Sequence, residues 1–340
     1  MAGSRRSKVS VREISRRTGY SPSTVSNALN HKPGVGDEAA SAIRKVAEEL
    51  GYHRSCKLQR IQFLIARNSG RMIDEGSFRL AVINGIEYEA RQRGLLTAYT
   101  TIELSDLAHR ERQISNMIND PTCGIVLLGT EMTQDDYDLF DHSKAPLVVV
   151  DGASDKHFYE SIVFSNEGSS YRAVKHLIRN GHREIGYLAG RLRIRNFPLR
   201  ERGYVRALED AGLPVRPEYR VELGTDKLES ASRDMLAWLE TKPQMPTAFF
   251  ADNDALAVGA MQALSKAGYR VPDDVSIVGF DDLEYAVMAH PPLTTVHVPR
   301  FDIGRMAARK LIDQAEGAEP YTCVTHLSTT LVERESVRKL

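Results

Sequence analysis

The side chains best suited to recognising another molecule lie near the start of this 340-residue chain. Between Ser21 and Asn30, hydroxyl and carboxamide groups surround the apolar residues Val25 and Leu29, which are four positions apart. Residues at this spacing share one face of a helix, so these two can pack inward while the polar groups face outward. A carboxamide such as that of Asn27 can form two hydrogen bonds with the edge of an adenine in the major groove. Such a contact favours adenine over the other bases by about 1–3 kcal/mol. The stretch therefore predicts contacts with DNA bases.

Two short helices joined by a tight turn would position these groups. Ser10 and Glu13 have the spacing of a capping box at the start of the first helix. Gly19 can adopt the left-handed conformation that ends a helix. Ser21 and Pro22 are then an N-cap and a first helical residue. This pattern predicts a DNA-binding helix-turn-helix, although any short helical hairpin would share the spacing.

The distribution of charge favours the DNA-binding interpretation. Residues 1–60 contain twelve Lys or Arg and five Asp or Glu, whereas the whole chain has 45 of each class and no formal net charge. Basic charge at one end of a neutral protein is typical of a module that contacts phosphates. A third helix, with Asp37 as its cap and an apolar stripe ending at Leu50, would complete a small three-helix headpiece.

Composition limits the other possibilities. No apolar run approaches the roughly 18 residues that a membrane span requires. The N-terminal residues MAGSRRSK lack the apolar segment of a secretory signal. Cys56, Cys123 and Cys323 are odd in number and far apart, which suits a reducing cytoplasm without structural disulfides. We therefore expect a cytoplasmic protein with no membrane partner.

From Ile61 onward, short apolar segments alternate with longer amphipathic ones. This alternation predicts parallel sheets covered by helices, and two sets of strands predict two similar subdomains with a cleft between them. The expected fold class is α/β, with an all-α helix-turn-helix headpiece followed by two doubly wound parallel α/β subdomains. The predicted strands are 61–66, 97–100, 124–129, 146–151, 161–165, 185–190, 247–251 and 275–280, and the predicted helices are 78–93, 107–119, 167–180, 199–211 and 254–267.

Ligands of open α/β sheets bind beyond the carboxyl ends of the strands. The polar or turn residues that follow the predicted strands are Arg67, Asn68, Gly129, Thr130, Asp151, Asp252, Asn253, Asp281 and Asp282. Carboxylate, guanidinium and carboxamide groups form the paired hydrogen bonds that suit the neighbouring hydroxyl groups of a sugar.

An enzyme is the main competing class. His176 and His182 have no cysteine or carboxylate at metal-ligand spacing. The sequence also contains neither a G-x-S-x-G elbow nor a Walker loop. We expect no catalytic residues, no metal site and no cofactor, and we expect His182 to be a structural cap.

Several motifs together resemble the LacI/GalR family of bacterial transcription regulators. They follow the family order over nearly the whole chain: STVSNALN (23–30), VAEELGY (46–52), AVKHLIRNGHREIGYLAG (173–190), RERGYVRALEDAGLP (200–214), FFADNDALAVGA (249–260), VPDDVSIVGFDD (271–282) and PPLTTV (291–296). The resemblance implies a repressor that binds a pseudo-palindromic operator in double-stranded DNA as a homodimer. It also implies a core similar to periplasmic sugar-binding proteins, in which a small effector, a sugar or sugar derivative, controls operator affinity.

The resemblance implies a headpiece over residues 1–52, a linker over 53–60 and an effector-binding core over 61–340. Within the core, the N-subdomain would comprise about 61–160 and 293–322, and the C-subdomain about 161–292 and 323–340. Helix 301–316 and residues 78–93 are candidates for the dimer interface.

Family positions can be assigned where the motifs align. The base-reading positions correspond to Pro22, Ser23 and Asn27, with a phosphate contact as the alternative for Asn27. The further DNA-contact candidates are Ser10, Arg16, Ser21, Thr24, Ser26, Asn30 and Leu58. The effector contacts correspond to Asp151, Arg200, Asn253 and Asp281, with Phe78 as an apolar wall. The alternatives are a surface ion pair for Arg200 and a turn cap before Leu283 for Asp281 or Asp282.

The linker departs from the family pattern. Family members have a longer segment here, which folds on DNA as a hinge helix and inserts leucines into the minor groove. Only eight residues separate Tyr52 from Ile61, and Leu58 is the one apolar candidate for insertion. We hypothesise that effector binding moves the headpieces as rigid bodies. The alternative function is a regulator of the same fold that responds to a protein partner.

Overall fold

The computed structural model describes residues 10–29, 34–50, 58–68, 76–317 and 321–340. The chain divides into two units, Met1–Leu58 with Ile312–Tyr321 and Gln59–Leu311 with Thr322–Leu340. Asn30, Cys56 and all of the predicted linker before Leu58 lie outside the described residues.

Three helices form the headpiece: α1 (Val11–Thr18), α2 (Pro22–Leu29) and α3 (Asp37–Glu49). The Glu13 N–H donates to Ser10 Oγ at 3.3 Å, and Gly19 ends α1 with a φ of 76°. The Thr24 N–H donates to Ser21 Oγ at 3.1 Å. These contacts confirm the predicted helix starts and the glycine turn. The third helix begins at Asp37 itself, so this residue is not the cap that the sequence suggested.

One apolar cluster holds the three headpiece helices together. Its buried members are Ile14, Val25, Ala28, Ile43 and Ala47. Each helix contributes at least one of them, as expected when a single apolar stripe per helix faces a common core. The outward face of α2 is thereby fixed in orientation.

The core contains the remaining helices and strands described in the structure. The strands are β1 (Arg60–Arg67), β2 (Leu96–Glu103), β3 (Cys123–Leu128), β4 (Leu147–Val150), β5 (Glu160–Phe164), β6 (Ile185–Gly190), β7 (Arg220–Leu223), β8 (Ala248–Ala251), β9 (Ser276–Val278), β10 (Thr295–His297), β11 (Val324–Leu327) and β12 (Thr330–Val332). The helices are α4 (Gly76–Gln92), α5 (Leu107–Ile118), α6 (Asn166–Arg179), α7 (Asn196–Glu209), α8 (Leu228–Glu240), α9 (Asp254–Lys266), α10 (Glu284–Met288) and α11 (Arg300–Ala315). Short 3-10 helices cover Asp135–Phe140 and Pro217–Tyr219.

The strands form two parallel sheets and one small antiparallel pair. The first sheet has the order β11-β5-β4-β3-β1-β2, the second has the order β7-β6-β8-β9, and β10 pairs with β12. All pairings within the two larger sheets are parallel. The α/β class and the two doubly wound subdomains predicted from the sequence are confirmed. We call the first sheet with its helices the N-subdomain and the second the C-subdomain.

The subdomain boundary differs from the predicted one. We placed the strand 161–165 in the C-subdomain, but β5 and β11 both pair within the first sheet. The chain therefore crosses to the C-subdomain after Phe164, returns after His297 and crosses again after Leu327. An apolar strand of five residues fits either sheet, so its local sequence could not decide between them.

Strand β7 and helix α8 of the C-subdomain were not predicted. Strand β7 has the sequence RVEL and lies at the edge of its sheet, so only alternate residues are buried. Half of its side chains are charged, which hides the apolar signal of a strand. Helix α8 follows it with four polar residues in its first six.

Helices α4 and α11 approach each other through two glycines. A Cβ atom at Gly85 would lie 2.0 Å from the carbonyl oxygen of Phe301, and a Cβ atom at Gly304 would lie 2.0 Å from that of Val82. Only glycine permits this separation between the two backbones. The contact joins two segments that are far apart in sequence.

Candidate DNA-reading surface and effector site

The candidate DNA-reading surface is the outward face of α2. Pro22 and Ser23 are exposed, Thr24 and Asn27 are partly exposed, and Val25 is fully buried. This is the orientation that base reading requires, since the recognition helix presents its N-terminal residues to base edges.

The hydroxyl groups at the start of α2 contact one another. Ser21 Oγ lies 2.7 Å from Ser23 Oγ and 2.8 Å from Thr24 Oγ1. Ser21 therefore has a capping role in addition to any phosphate contact. Arg16 is exposed, and its ion pair with Glu13, at 3.3 Å, is also exposed. Such a pair is worth little, so Arg16 can exchange Glu13 for a phosphate.

Leu58, the candidate for insertion into the minor groove, is buried in the structure, with 8% of its surface exposed. Insertion would therefore require that this side chain first become exposed.

The candidate effector site lies at the carboxyl ends of the strands. Asp151 directly follows β4, and Asp281 lies just beyond β9. Both residues have positive φ, 54° and 110°, as does Asp282 at 57°. These conformations are uncommon for residues other than glycine and concentrate at functional sites.

Arg200 and Asp281 form the centre of this site. Arg200 Nη2 donates to Asp281 Oδ1 at 3.0 Å and Nη1 donates to Oδ2 at 3.3 Å. Arg200 is 97% buried, and its Nε donates to Asn166 Oδ1 at 2.9 Å. The guanidinium carbon lies 3.8 Å from the ring centroid of Phe280. The surface ion pair that the sequence allowed for Arg200 is therefore wrong: the residue is buried and pairs inside the site.

Asp151 extends the network to the N-subdomain. Thr130 Oγ1 donates to its Oδ2 at 2.6 Å, and Asn196 Nδ2 donates to its Oδ1 at 2.9 Å. Asn166 Nδ2 in turn donates to Asn196 Oδ1 at 3.1 Å. Burial raises the pKa of Asp151 to about 6, and the two donors oppose this rise. One continuous set of hydrogen bonds thus links both subdomains.

Asn166 and Asn196 are site residues that sequence reasoning missed. They are the first residues of α6 and α7, which follow β5 and β6. The rule that ligands bind beyond the carboxyl ends of strands would have found them if it had been extended to the next helix start.

The other two predicted effector contacts, Asn253 and Phe78, lie at helix starts. Asn253 Oδ1 accepts the Leu256 N–H at 3.0 Å and so caps α9. Phe78 is buried in the first turn of α4. A role for either in effector binding stays a prediction.

Asp281 and Asp282 have separate roles. Asp282 accepts from Arg334 Nη2 at 2.5 Å and from His297 Nδ1 at 2.8 Å, which anchors the last segment of the chain. The Leu283 N–H is bound instead by Asp254 Oδ2 at 2.8 Å. Neither aspartate is therefore the turn cap that the sequence allowed. Burial raises the pKa of Asp254 to about 8, with Asp281 adding to the effect.

A second set of charges follows β6 and β8. Arg193 contacts Asp252 and donates to Glu201 Oε2 at 2.6 Å. Asp252 also accepts from Tyr187 and from the Gly190 N–H. Burial raises the pKa of Asp252 to about 6. These residues brace the loop that enters α7.

His182 is a structural residue, as expected, although it caps no helix. Its Nδ1 lies 3.0 Å from Thr247 Oγ1 and its Nε2 lies 3.1 Å from the carbonyl oxygen of Arg338. Within the described ranges, no group of three or more His, Cys, Asp or Glu side chains is placed to hold a metal ion. No helix in the same ranges is both long and apolar enough to cross a membrane.

Comparisons with known proteins agree with this architecture. Residues 10–55 match the model of bacterial regulatory proteins of the lacI family, and residues 174–337 match a periplasmic binding protein-like domain. The HTH-type transcriptional repressor PurR of Actinobacillus pleuropneumoniae serotype 3 (strain JL03) is 30% identical over 97% of this chain and 98% of its own length. PurR of Vibrio campbellii (strain ATCC BAA-1116) is 29% identical over 97% of this chain and 99% of its own length.

A solved structure gives the same result for the fold. The transcriptional regulator CelR-cellobiose complex superposes with a TM-score of 0.72 and 26% identity, covering 96% of this chain and 99% of that one. The helix-turn-helix headpiece and the α/β core thus occur in the same order as in the matched family models. The chain belongs to the LacI family of bacterial regulatory proteins and is a DNA-binding transcriptional regulator with a periplasmic-binding-protein-like core.

Proposed function

We propose that this protein is a cytoplasmic repressor, not an enzyme, and that a sugar or sugar derivative bound in the cleft controls its affinity for an operator. The network from Thr130 through Asp151 and Asn196 to Arg200 and Asp281 carries this proposal. It joins the two subdomains with groups that also bind hydroxyls. A ligand that replaces some of these hydrogen bonds changes how the subdomains are held together.

Sugar recognition fits the chemistry of this network. Charged and amide groups supply the directed hydrogen bonds, and Phe164, Phe197 and Phe280 lie around the Arg200 guanidinium at 6.0, 5.8 and 3.8 Å. Pockets with a few fixed polar groups and aromatic walls are typical of small-ligand sites. The similar regulator CelR is described in complex with cellobiose.

The headpiece would read the operator through α2. Pro22, Ser23 and Asn27 would face base edges, while Ser10, Arg16, Ser21, Thr24 and Ser26 would contact phosphates or hold the helix in place. Asn27 is the only carboxamide on the described part of α2 and so the one side chain there that can recognise an adenine by two hydrogen bonds.

A homodimer would provide two headpieces for a pseudo-palindromic site. Apolar side chains suited to a subunit interface are exposed on α4 and on the edge strand β2: Leu80, Tyr88, Leu96 and Tyr99. The Tyr88 ring contacts Phe301 of α11 at 5.7 Å, which joins the two segments proposed for the interface.

A further apolar groove of about 480 Å³ lies along α9 and α10, with Val258, Met261 and Met288 in its lining. Exposed apolar surfaces of this kind normally mark sites where another molecule binds.

Operator selection followed by ligand titration tests the proposal. An operator would be selected from random DNA with the full chain, and its dissociation constant measured with neutral hexoses, pentoses, cellobiose, sugar acids and sugar phosphates. We expect at least one of these compounds to change operator affinity by about tenfold, a coupling of about 1.4 kcal/mol. Selection that yields no palindromic site would contradict the DNA-binding part. An operator that no compound in the panel affects would contradict the sugar-effector part and favour a protein partner.

A further inference from the structure

The loop Arg191–Arg195 enters the effector site from the C-subdomain. It follows the carboxyl end of β6, leads into α7, and has an arginine at every second position. Arg191 donates to Asp234 at 2.8 Å, and Arg193 pairs with Asp252 and Glu201. Two of the three arginines therefore have carboxylate partners.

Arg195 differs from the other two. No hydrogen bond or ion pair joins its side chain to any residue in the described ranges, and the residue is partly buried. It directly precedes Asn196, whose side chain donates to Asp151 at 2.9 Å. Its backbone therefore lies at the effector site, and its side-chain donors have no partner among the described residues.

The charge of Arg195 is also close to the opposite wall of the cleft. Burial raises the pKa of Tyr137, and the charge of Arg195 opposes this rise. The Tyr137 hydroxyl is packed against Gly129 and Gly152, where added Cβ atoms would lie 2.6 and 2.4 Å from it. Those glycines follow β3 and β4, beside Thr130 and Asp151. The guanidinium of Arg195 is thus close enough to affect the N-subdomain side of the site.

The two carboxylates of the site have different partners. Arg200 is neutralised by Asp281, whereas the donors to Asp151 are the uncharged side chains of Thr130 and Asn196. This leaves an acceptor, Asp151, and a cation, Arg195, at one site. A ligand that satisfies both must offer hydroxyl donors to Asp151 and an anion to Arg195. The positive end of the 14-residue helix α7 favours an anion at the same place.

We propose that the effector is an acidic sugar derivative, a sugar acid or a sugar phosphate, whose anionic group binds Arg195 while its hydroxyl groups bind Asp151. This inference rests on the proposed function and narrows its ligand class. Carboxylate and phosphate share the chemistry that the guanidinium recognises.

Matched neutral and acidic probes test the inference with the full chain. Calorimetric titrations would compare D-glucose with D-glucuronate and D-glucose 6-phosphate, D-galactose with D-galacturonate, and cellobiose with cellobionate, at one ionic strength. We expect an acid to bind at least about tenfold more tightly than its neutral parent, as a charge-assisted bidentate contact allows. Arg195→Gln should reduce this preference below about threefold, while Arg195→Lys keeps part of it because the charge remains.

Arg191→Gln is the matched control, since Arg191 lies in the same loop and pairs with Asp234 instead. It should keep the full preference for the acid. Thermal unfolding of each variant would verify that the core is folded.

Three results would overturn the inference. Neutral sugars that bind as tightly as the acids, or an Arg195→Gln variant that keeps the preference, would do so while leaving the proposed sugar effector intact. Absence of binding by both classes of sugar would overturn the inference together with the proposed function.

Discussion

Arg200 donates to both carboxylate oxygens of Asp281, at 3.0 and 3.3 Å, although the side chains are only 3% and 4% exposed. A pair this deeply buried is costly to break, because the remaining charge has no solvent to stabilise it. The pair therefore couples folding of the C-subdomain to the geometry of the effector site.

Replacing Arg200 with Gln should destabilise the core by about 3–5 kcal/mol, because Asp281 is left buried without its counter-charge. Arg202→Gln is the control, since Arg202 lies on the same helix in an exposed pair with Glu167 at 3.3 Å. That change should cost no more than about 1 kcal/mol. Denaturant unfolding of the three proteins measures both values, and equal losses in the two variants would contradict the assignment.

Effector affinity should depend on the ionisation of Asp151. Its pKa in the folded protein is raised to about 6 by burial. The ionised form accepts hydroxyl donors, so affinity should rise about tenfold between pH 5 and pH 7. The free energy of unfolding should change in the opposite direction. Because its pKa is raised, Asp151 holds its proton to a higher pH in the folded state than in the unfolded state, so its contribution to stability is lost as pH rises through about 6.

Calorimetry at several pH values measures this dependence, and Asp151→Asn should flatten it. The variant is needed because burial raises the pKa of Asp252 to about 6 as well. A pH profile that is unchanged in Asp151→Asn would assign the titration to Asp252.

The contact between α4 and α11 should tolerate no side chain at either glycine. In Gly85→Ala the new methyl group would meet the Phe301 carbonyl oxygen at 2.0 Å, and backbone cannot move aside as a side chain can. We expect a loss of about 1–3 kcal/mol in the free energy of unfolding, and a similar loss for Gly304→Ala. Gly36→Ala is the control, because nothing lies within 4 Å of its added Cβ. Its effect should stay within about 0.5 kcal/mol.

Asn27→Ala should relax sequence preference at one symmetric operator position. Loss of a two-bond contact with adenine costs about 1–3 kcal/mol against the preferred base and little against others. Binding to operators that vary at each position measures this. Arg16→Gln is the comparison. A lost phosphate contact should weaken binding to all operators equally and reduce the slope of log affinity against log salt concentration by about one. Uniform weakening by Asn27→Ala would identify Asn27 as a phosphate contact.

Tyr88→Asp should shift the protein from dimer toward monomer, because it puts a charge on the apolar face proposed for the interface. Sedimentation at several protein concentrations measures the shift, and operator affinity should fall with it. Phe158→Asp is the control: this side chain is 93% exposed on a loop outside the proposed interface. A wild-type protein that is monomeric at all concentrations would contradict the proposed dimer.

The headpiece helices and most of the strand-helix order could be predicted from the sequence. Ser10, Gly19 and Ser21 act on backbone groups only a few residues away, so their spacing is enough to predict where helices begin and end. Asp151 and Asp281 could also be predicted from local sequence. The apolar pattern shows where strands end, and ligands of such sheets bind beyond the strand ends.

Which of these side chains meet depends on how the chain packs in three dimensions. Arg200 and Asp281 are 81 residues apart, and no local pattern states that their side chains share a buried pocket. Strand β5 joined the first sheet, Asn166 and Asn196 completed the network, and Arg195 had no partner among the described residues. Each of these outcomes depends on distances between segments that are remote in sequence, because a hydrogen bond is made only where the packed core brings donor and acceptor to about 3 Å.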